Sequence, residues 1–198
     1  IMEQFGKGLV LEPFLANIVL GGGAIQVGGS EELKQEMLSS LIEGSKQLAL
    51  AYAEQQSRFD LEDVATSARQ EGDKYIINGQ KSMVLNAESS DHIVVVTRTN
   101  GGQVDEEGIT LFLVDSNSKG LERNNFPTVD GLRASEITFD NVEVNPERMI
   151  GDLDKGFSIL RTITNNAILA LCAEAVGAME VLYKDTVEYT QQREQFDH

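Results

Sequence analysis

The chain is poor in the residues that metal, disulfide and nucleophilic chemistries draw on. Its 198 residues include a single cysteine, Cys172, two histidines, His92 and His198, three prolines and no tryptophan. One thiol makes neither an intramolecular disulfide nor a thiolate metal cage, and this usage predicts a reducing, cytoplasmic setting. Neither histidine has a cysteine or second histidine at ligand spacing, so no metal site and no Ser-His-Asp triad is expected. Positive charge is scarce as well: 16 Lys and Arg stand against 32 Asp and Glu, a net charge of −16 and a pI near 4.4. A sequence-independent grip on nucleic acid or anionic lipid needs clustered cations, so neither a nucleic acid nor a membrane partner is expected. The longest apolar stretch, residues 9–27, is broken by Glu12, Asn17 and Gly21-Gly22-Gly23, so neither a membrane span nor a signal peptide is expected there. The glycines match neither G-x-G-x-x-G after a strand nor G-x-x-x-x-G-K followed by Ser or Thr, so no phosphate loop is expected.

What is present is globular. A hydrophobic share of 41% against 24% charged residues supplies enough apolar surface to offset the entropy of ordering the chain. At about 150 residues per domain, the length corresponds to one domain and part of another.

The periodicity changes near Gly44 and again near Gly156. The first part is helical: Phe14, Ile18 and Val19 follow Pro13 at helical spacing, with the glycine triplet expected to end that segment. A second helix has Ser30 as N-cap, Glu31 and Glu32 in its first turn, a stripe of Leu33, Met37, Leu38 and Leu41, and Gly44 to close it. Residues 48–53, 64–69, 75–77, 82–85, 93–99, 110–114 and 136–139 read as short strands. Asn78-Gly79 falls between two of them and predicts a two-residue hairpin turn, because both residues accept positive φ. No helical segment separates these strands, which points to an antiparallel barrel or sandwich rather than a parallel sheet with crossovers. From Gly156 onward, Phe157, Leu160, Ile163, Ile168, Leu171, Ala175, Met179 and Leu182 recur at helical spacing. A helix of roughly 40 residues extends about 60 Å, longer than one small sheet domain covers. It calls for bundle partners, and together with the opening Ile1-Met2 this reads as a piece of a longer protein. The expected fold class is α+β: the end of a helical domain over 1–45, a middle β-domain over 46–153, and the first helix of a C-terminal four-helix bundle over 154–198.

A series of segments, met in order, resembles the acyl-CoA dehydrogenases, flavoenzymes that oxidise the α,β bond of acyl thioesters. The segments are Gly6-Lys7-Gly8-Leu9-Val10-Leu11-Glu12-Pro13, Gly28-Gly29-Ser30-Glu31-Glu32-Leu33-Lys34 and Leu48-Ala49-Leu50-Ala51-Tyr52-Ala53-Glu54 with Ser57-Arg58-Phe59-Asp60. They continue with Tyr75-Ile76-Ile77-Asn78-Gly79-Gln80-Lys81, Gly131-Leu132-Arg133-Ala134-Ser135, Phe139-Asp140-Asn141-Val142-Glu143-Val144, Ile150-Gly151-Asp152, Gly156-Phe157, Ala175-Val176-Gly177 and Arg193-Glu194-Gln195-Phe196. The resemblance implies FAD as cofactor, an acyl-CoA substrate, an electron-transfer flavoprotein or similar acceptor, and a homo- or hetero-oligomer. It places the catalytic glutamate in the part of the family's bundle that would follow His198, so no catalytic residue is assigned here, and this piece alone is expected to be inactive.

By the same resemblance, Ala53, Met83 and Leu85 lie at the flavin ring, where many members carry Thr or Ser, Trp, and Thr. Arg193, Gln195 and Phe196 belong to the element that reaches the diphosphate of a neighbouring subunit's flavin. Ser57, Arg58 and Phe59 lie in the loop that meets the CoA part of the substrate. Asn165 and Ile168 stand where catalytic members often carry an acid and an arginine. These departures leave a second reading open: a non-catalytic subunit that pairs with a catalytic partner and contributes to its flavin site.

Overall fold

The computed structural model of the chain describes residues 1–195. Two compact units emerge, one running from Pro13 to Asn165 and the other joining Ile1–Glu12 to the segment that begins at Asn166.

In the larger unit, helical winding starts as a π-helix over Leu15–Gly22 and passes directly into an α-helix over Gly23–Gly28. The glycine triplet therefore sits inside the helix, correcting the expectation that it ends there. The reason is packing: a Cβ on Gly21 would lie 2.6 Å from Leu48 Cβ, and one on Gly22 would lie 2.7 Å from Leu41 Cδ2. These glycines let the helix press against its neighbours. The helix over Glu31–Ile42 follows its sequence signals closely. Ser30 Oγ accepts from Leu33 N–H at 3.2 Å, Leu33, Met37 and Leu41 are buried, and Gly44 leaves the helix at φ 72°. With the short helix Met2–Gly8 of the other unit as α1, these two are α2 (Gly23–Gly28) and α3 (Glu31–Ile42).

The strands are β1 (Leu48–Ala51), β2 (Ser67–Glu71), β3 (Lys74–Leu85), β4 (His92–Arg98), β5 (Ile109–Asp115), β6 (Leu121–Pro127), β7 (Arg133–Val144) and β8 (Met149–Ile150). They form one open sheet in the order β6-β7-β3-β2-β4-β5-β8, with β1 paired to β4 off that path. Most pairs are antiparallel, but β1 runs parallel to β4, so the sheet is mixed rather than purely antiparallel. β4 and β5 are buried nearly end to end, as their continuous Ile, Val, Leu and Phe runs require of strands covered on both faces. Ile77, Ile93, Val95, Phe112, Val114, Phe139 and Val142 lie in the central cluster.

The hairpin expected at Asn78-Gly79 does not form there. Both residues lie within β3, and the chain reverses instead at Gly72-Asp73, between the paired residues Glu71 and Lys74, with Gly72 at φ 64°. At Asn78 the register of β3 against β7 slips between Ile77 and Gly79. The Asn-Gly pair serves a bulge, which uses the same backbone freedom as a turn. Gly79 adopts φ 146°, and a Cβ there would lie 2.6 Å from Thr66 Cα. Asn78 ties the bulge to β7 by accepting from Asn141 N–H at 2.9 Å.

The last helix, α4, spans Gly156–Gln192. Its first turns bury Phe157, Leu160 and Ile163 in the larger unit, whereas Ile168, Leu169, Leu171, Met179, Leu182 and Tyr183 are exposed. By length and composition this helix would also suffice to cross a membrane. In the smaller unit α1 lies across α4, where Lys7 Nζ pairs with Glu180 at 2.7 Å and with Glu3 at 2.9 Å.

Candidate functional site

Residues 52–66 leave β1, run as a turn-rich loop, and return to start β2. Three sets of bonds hold this loop on the sheet. At its root, Ser82 N–H donates to Ala53 O at 2.9 Å, which sets Ala53 beside the strand segment that carries Met83 and Leu85. Beneath it, the Lys81 ammonium donates to Glu54 Oε1 at 2.6 Å and to Tyr52 O at 3.2 Å. The Glu54 carboxylate also accepts from Ala65 N–H at 2.9 Å, Thr66 N–H at 3.0 Å and Gln56 Nε2 at 2.8 Å. At the far end the Arg98 guanidinium donates to Glu62 O at 2.8 Å and Gln103 O at 2.9 Å.

The electrostatics follow from burial. Lys81 is wholly buried, and that burial pulls its ammonium down to about 8, with Glu54 opposing the shift and Arg98 adding to it. For Glu54, burial alone would push the carboxyl up; the charge of Lys81 and hydrogen bonds from Lys81, Gln56 and the Thr66 N–H more than reverse this and hold it at about 2. Neither residue was assigned a role from sequence, although both stand inside quoted motifs. A lysine in step with the inward-facing Tyr75 and Ile77 of the same strand was the available signal.

Of the flavin-ring candidates, Ala53 accepts from Ser82, the residue before Met83 in the strand that also carries Leu85. Met83 sits at φ 53° beside a second register slip, between Lys81 and Val84, and is 51% exposed, so its thioether stands free of the core. Leu85 and Ala53 are half-buried. Among the substrate candidates, Phe59 is 95% exposed and Arg58 is exposed at φ 49°. Ser57 departs from its expected part as a ligand donor. It is buried, its hydroxyl donates to Glu54 O at 3.0 Å and accepts from Glu54 N–H at 3.0 Å, and it therefore builds the turn.

In the smaller unit, Arg193 lies just past the end of α4. Its N–H donates to Tyr189 O at 2.9 Å and its guanidinium stands 5.4 Å from the Tyr189 ring centroid while bonding the Tyr189 hydroxyl. Gln195 is exposed beyond the helix. Phe196 lies outside the described residues. A separate recess of about 310 Å³ on the larger unit is lined by Lys74, His92, Asp115, Glu143 and Arg148, and includes none of the candidates.

The sequence profile of the acyl-CoA dehydrogenase middle domain matches residues 49–142, which run from β1 to the end region of β7. The fold agrees: butyryl-CoA dehydrogenase from Megasphaera elsdenii superposes with a TM-score of 0.91 at 28% identity, over 100% of this chain and 53% of that one. Residues 49–142 belong to the acyl-CoA dehydrogenase middle-domain family. Among its curated relatives, subunit CarC of the caffeyl-CoA reductase-Etf complex of Acetobacterium woodii is 29% identical over 98% of this chain and 52% of its own length. An FAD complex of PigA superposes with a TM-score of 0.91 at 26% identity, covering 98% of this chain and 52% of PigA. The chain spans about half the length of the curated relatives it matches.

Met83 and Leu85 give an apolar surface suited to stacking, with the Met83 sulfur able to meet an aromatic edge. Ala53 and Leu85 bring no hydroxyl, and the nearest ammonium, Lys81, is consumed by Glu54 and Tyr52. Such a set offers apolar surface to the face of a flavin ring and no side-chain hydroxyl to its polar edge.

Proposed function

We propose that the protein is an FAD-dependent oxidoreductase acting on the α,β carbon–carbon bond of acyl-CoA thioesters. The observation that carries this reading is the juxtaposition of Ala53 with the segment of β3 that carries Met83 and Leu85, at the root of a loop that presents Arg58 and Phe59 to solvent. When bound, FAD supplies the two-electron chemistry of that bond. The chain's own residues contribute binding. Met83, Leu85 and Ala53 pack the ring, Phe59 offers an exposed aromatic surface, and Arg58 is a cation able to pair a phosphate bidentately in an otherwise acidic protein. Arg193 and Gln195 bind the diphosphate of the flavin in a neighbouring subunit, so the protein works as an oligomer. No general base is assigned among these residues.

The same reading takes the exposed apolar residues of α4 as the face covered by the rest of a four-helix bundle, the strand-rich part as a barrel or sandwich, and the chain as divided at 45/46 and 153/154. The two register slips in β3 favour such closure, since bulges bend strands. A cytoplasmic location accords with the lone, exposed Cys172. Electron-transfer flavoprotein is the proposed redox partner, on the precedent of the Etf complex that contains CarC. A second reading, a non-catalytic subunit lending Arg193 to its partner, is favoured by the missing hydroxyls at 53 and 85.

The experiment is uptake of FAD followed by bleaching. The purified full chain is mixed with FAD, freed of excess, and titrated without oxygen with butyryl-CoA. A flavin absorption band that bleaches on addition of the thioester supports the enzyme. A band that persists unbleached supports FAD binding without the family's proton acceptor, which the resemblance places outside these residues, and a colourless protein overturns the cofactor assignment.

A further inference from the structure

Lys81 is among the largest wholly buried side chains, with Phe112 and Ile25. A fold has no need of an ion pair there, because well-packed apolar residues of similar volume commonly serve stability as well or better. What apolar residues lack is direction. Besides bonding one another, Lys81 and Glu54 reach four groups by hydrogen bonds: Tyr52 O, Ala65 N–H, Thr66 N–H and the Gln56 amide. Those groups bracket the loop on both sides of the exposed Arg58-Phe59. From Lys81 the strand continues through Ser82, which bonds Ala53, to Met83 at its positive φ. The loop's far end is fastened independently by Arg98 to the Glu62 carbonyl.

We propose that Glu54 and Lys81 are positioning residues, which lock residues 52–66 against the β3 bulge so that Ala53, Arg58, Phe59 and Met83 meet a bound flavin and its substrate in one preset arrangement. The inference rests on the FAD-dependent reading above, and goes beyond it in assigning the arrangement to a buried ion pair that touches neither ligand. Preset geometry improves binding because the ordering cost is met before the ligand arrives.

The test uses Lys81→Met, Glu54→Gln and their combination in the full chain. Each single change leaves a buried polar group without its partner and lowers the thermal midpoint. The combination removes both charges and recovers most of that loss. A pair that serves only the fold would be fully replaced by the combination. A positioning pair would not: FAD titration then gives a dissociation constant about tenfold weaker than in the unsubstituted chain, and trypsin cuts after Arg58 about tenfold faster, relative to cleavage after the exposed Lys184 on α4. A combined variant with recovered stability that binds FAD and resists cleavage at Arg58 as the unsubstituted chain does overturns the proposal. If the unsubstituted chain takes up no FAD, the cofactor reading fails and the Arg58 cleavage ratio alone decides the role of the pair. If the combined variant does not fold, Glu54→Gln reads the same two quantities, since its amide oxygen still accepts from Thr66.

Discussion

Gly6 of α1 and Gly177 of α4 form a reciprocal close approach. A Cβ on Gly6 would lie 1.9 Å from Glu174 O, and one on Gly177 would lie 1.9 Å from Glu3 O. Each helix thus rests its backbone where the other has no side chain, and the Lys7–Glu180 ion pair flanks the crossing.

Gly177→Ala tests this contact with a sign that separates two effects. In α4 alone the change favours helix by about 0.5–1 kcal/mol. At the crossing it forces the backbones apart, at a cost of about 1–3 kcal/mol. The expected outcome is loss of hydrogen-exchange protection at the amides of α1, with helicity measured by far-UV circular dichroism unchanged or raised in α4. Protection retained in α1 would mean that the crossing adjusts without strain.

Gly79 and Gly72 offer a matched pair of substitutions within one sheet. Both have positive φ, but a Cβ on Gly72 meets nothing within 4 Å whereas one on Gly79 meets Thr66 Cα at 2.6 Å. Gly72→Ala should cost about 1 kcal/mol of backbone strain. Gly79→Ala adds a backbone collision and should cost at least about 2 kcal/mol more, in the range of overpacked cores. Urea denaturation of both variants checks the order, and equal losses would remove the steric part of the argument.

Those two glycines also mark how much of the fold sequence could reveal. Strands β4 and β5 were legible because unbroken β-branched and aromatic runs have few other uses, and α3 was legible because Ser30, the acidic first turn and Gly44 act locally. Asn78-Gly79 misled because the same permitted φ serves a hairpin and a bulge, and the choice is made by Thr66 and Asn141, which are remote in sequence. The glycine triplet misled for a parallel reason: Leu41 and Leu48, not the triplet itself, decide that the helix continues. β6 escaped notice because an edge strand such as Leu121–Pro127 shows no apolar alternation. At the site, the resemblance located Ala53 and Met83, whereas Glu54 and Lys81 lie 27 residues apart with no periodic signal linking them.

Acid should attack the larger unit through Glu54. Its carboxyl is held at about 2 in the folded chain against an ordinary value of 4.5. The unfolded chain therefore binds the extra proton between these values, and the stabilisation, complete above about pH 4.5, is lost as pH falls toward 2. For a buried group this amounts to about 3 kcal/mol. Stability against urea, followed from pH 6 to about pH 2.5 in the unsubstituted chain and in Glu54→Gln, should fall less steeply in the variant. Parallel slopes would assign the acid sensitivity to other carboxylates.

Ala53→Thr and Leu85→Thr ask whether the apolar character of the ring edge limits flavin binding. Both positions are half-buried and flank Met83, and Ala53 is fixed by its bond from Ser82. If the ring lies there, a hydroxyl at either position adds one hydrogen bond worth about 0.5–1.5 kcal/mol, or roughly a two- to tenfold gain in FAD affinity. The two positions act on one ligand, so their effects need not add, and each change is measured singly and together by quenching of flavin fluorescence. The threonine at 85 gives up leucine packing, so its variant is compared at equal folded fraction, set by circular dichroism. A gain at 53 without one at 85 would place the polar edge of the ring at the root of the loop. No gain at either position would remove both residues from the flavin site and leave Met83 as ordinary surface.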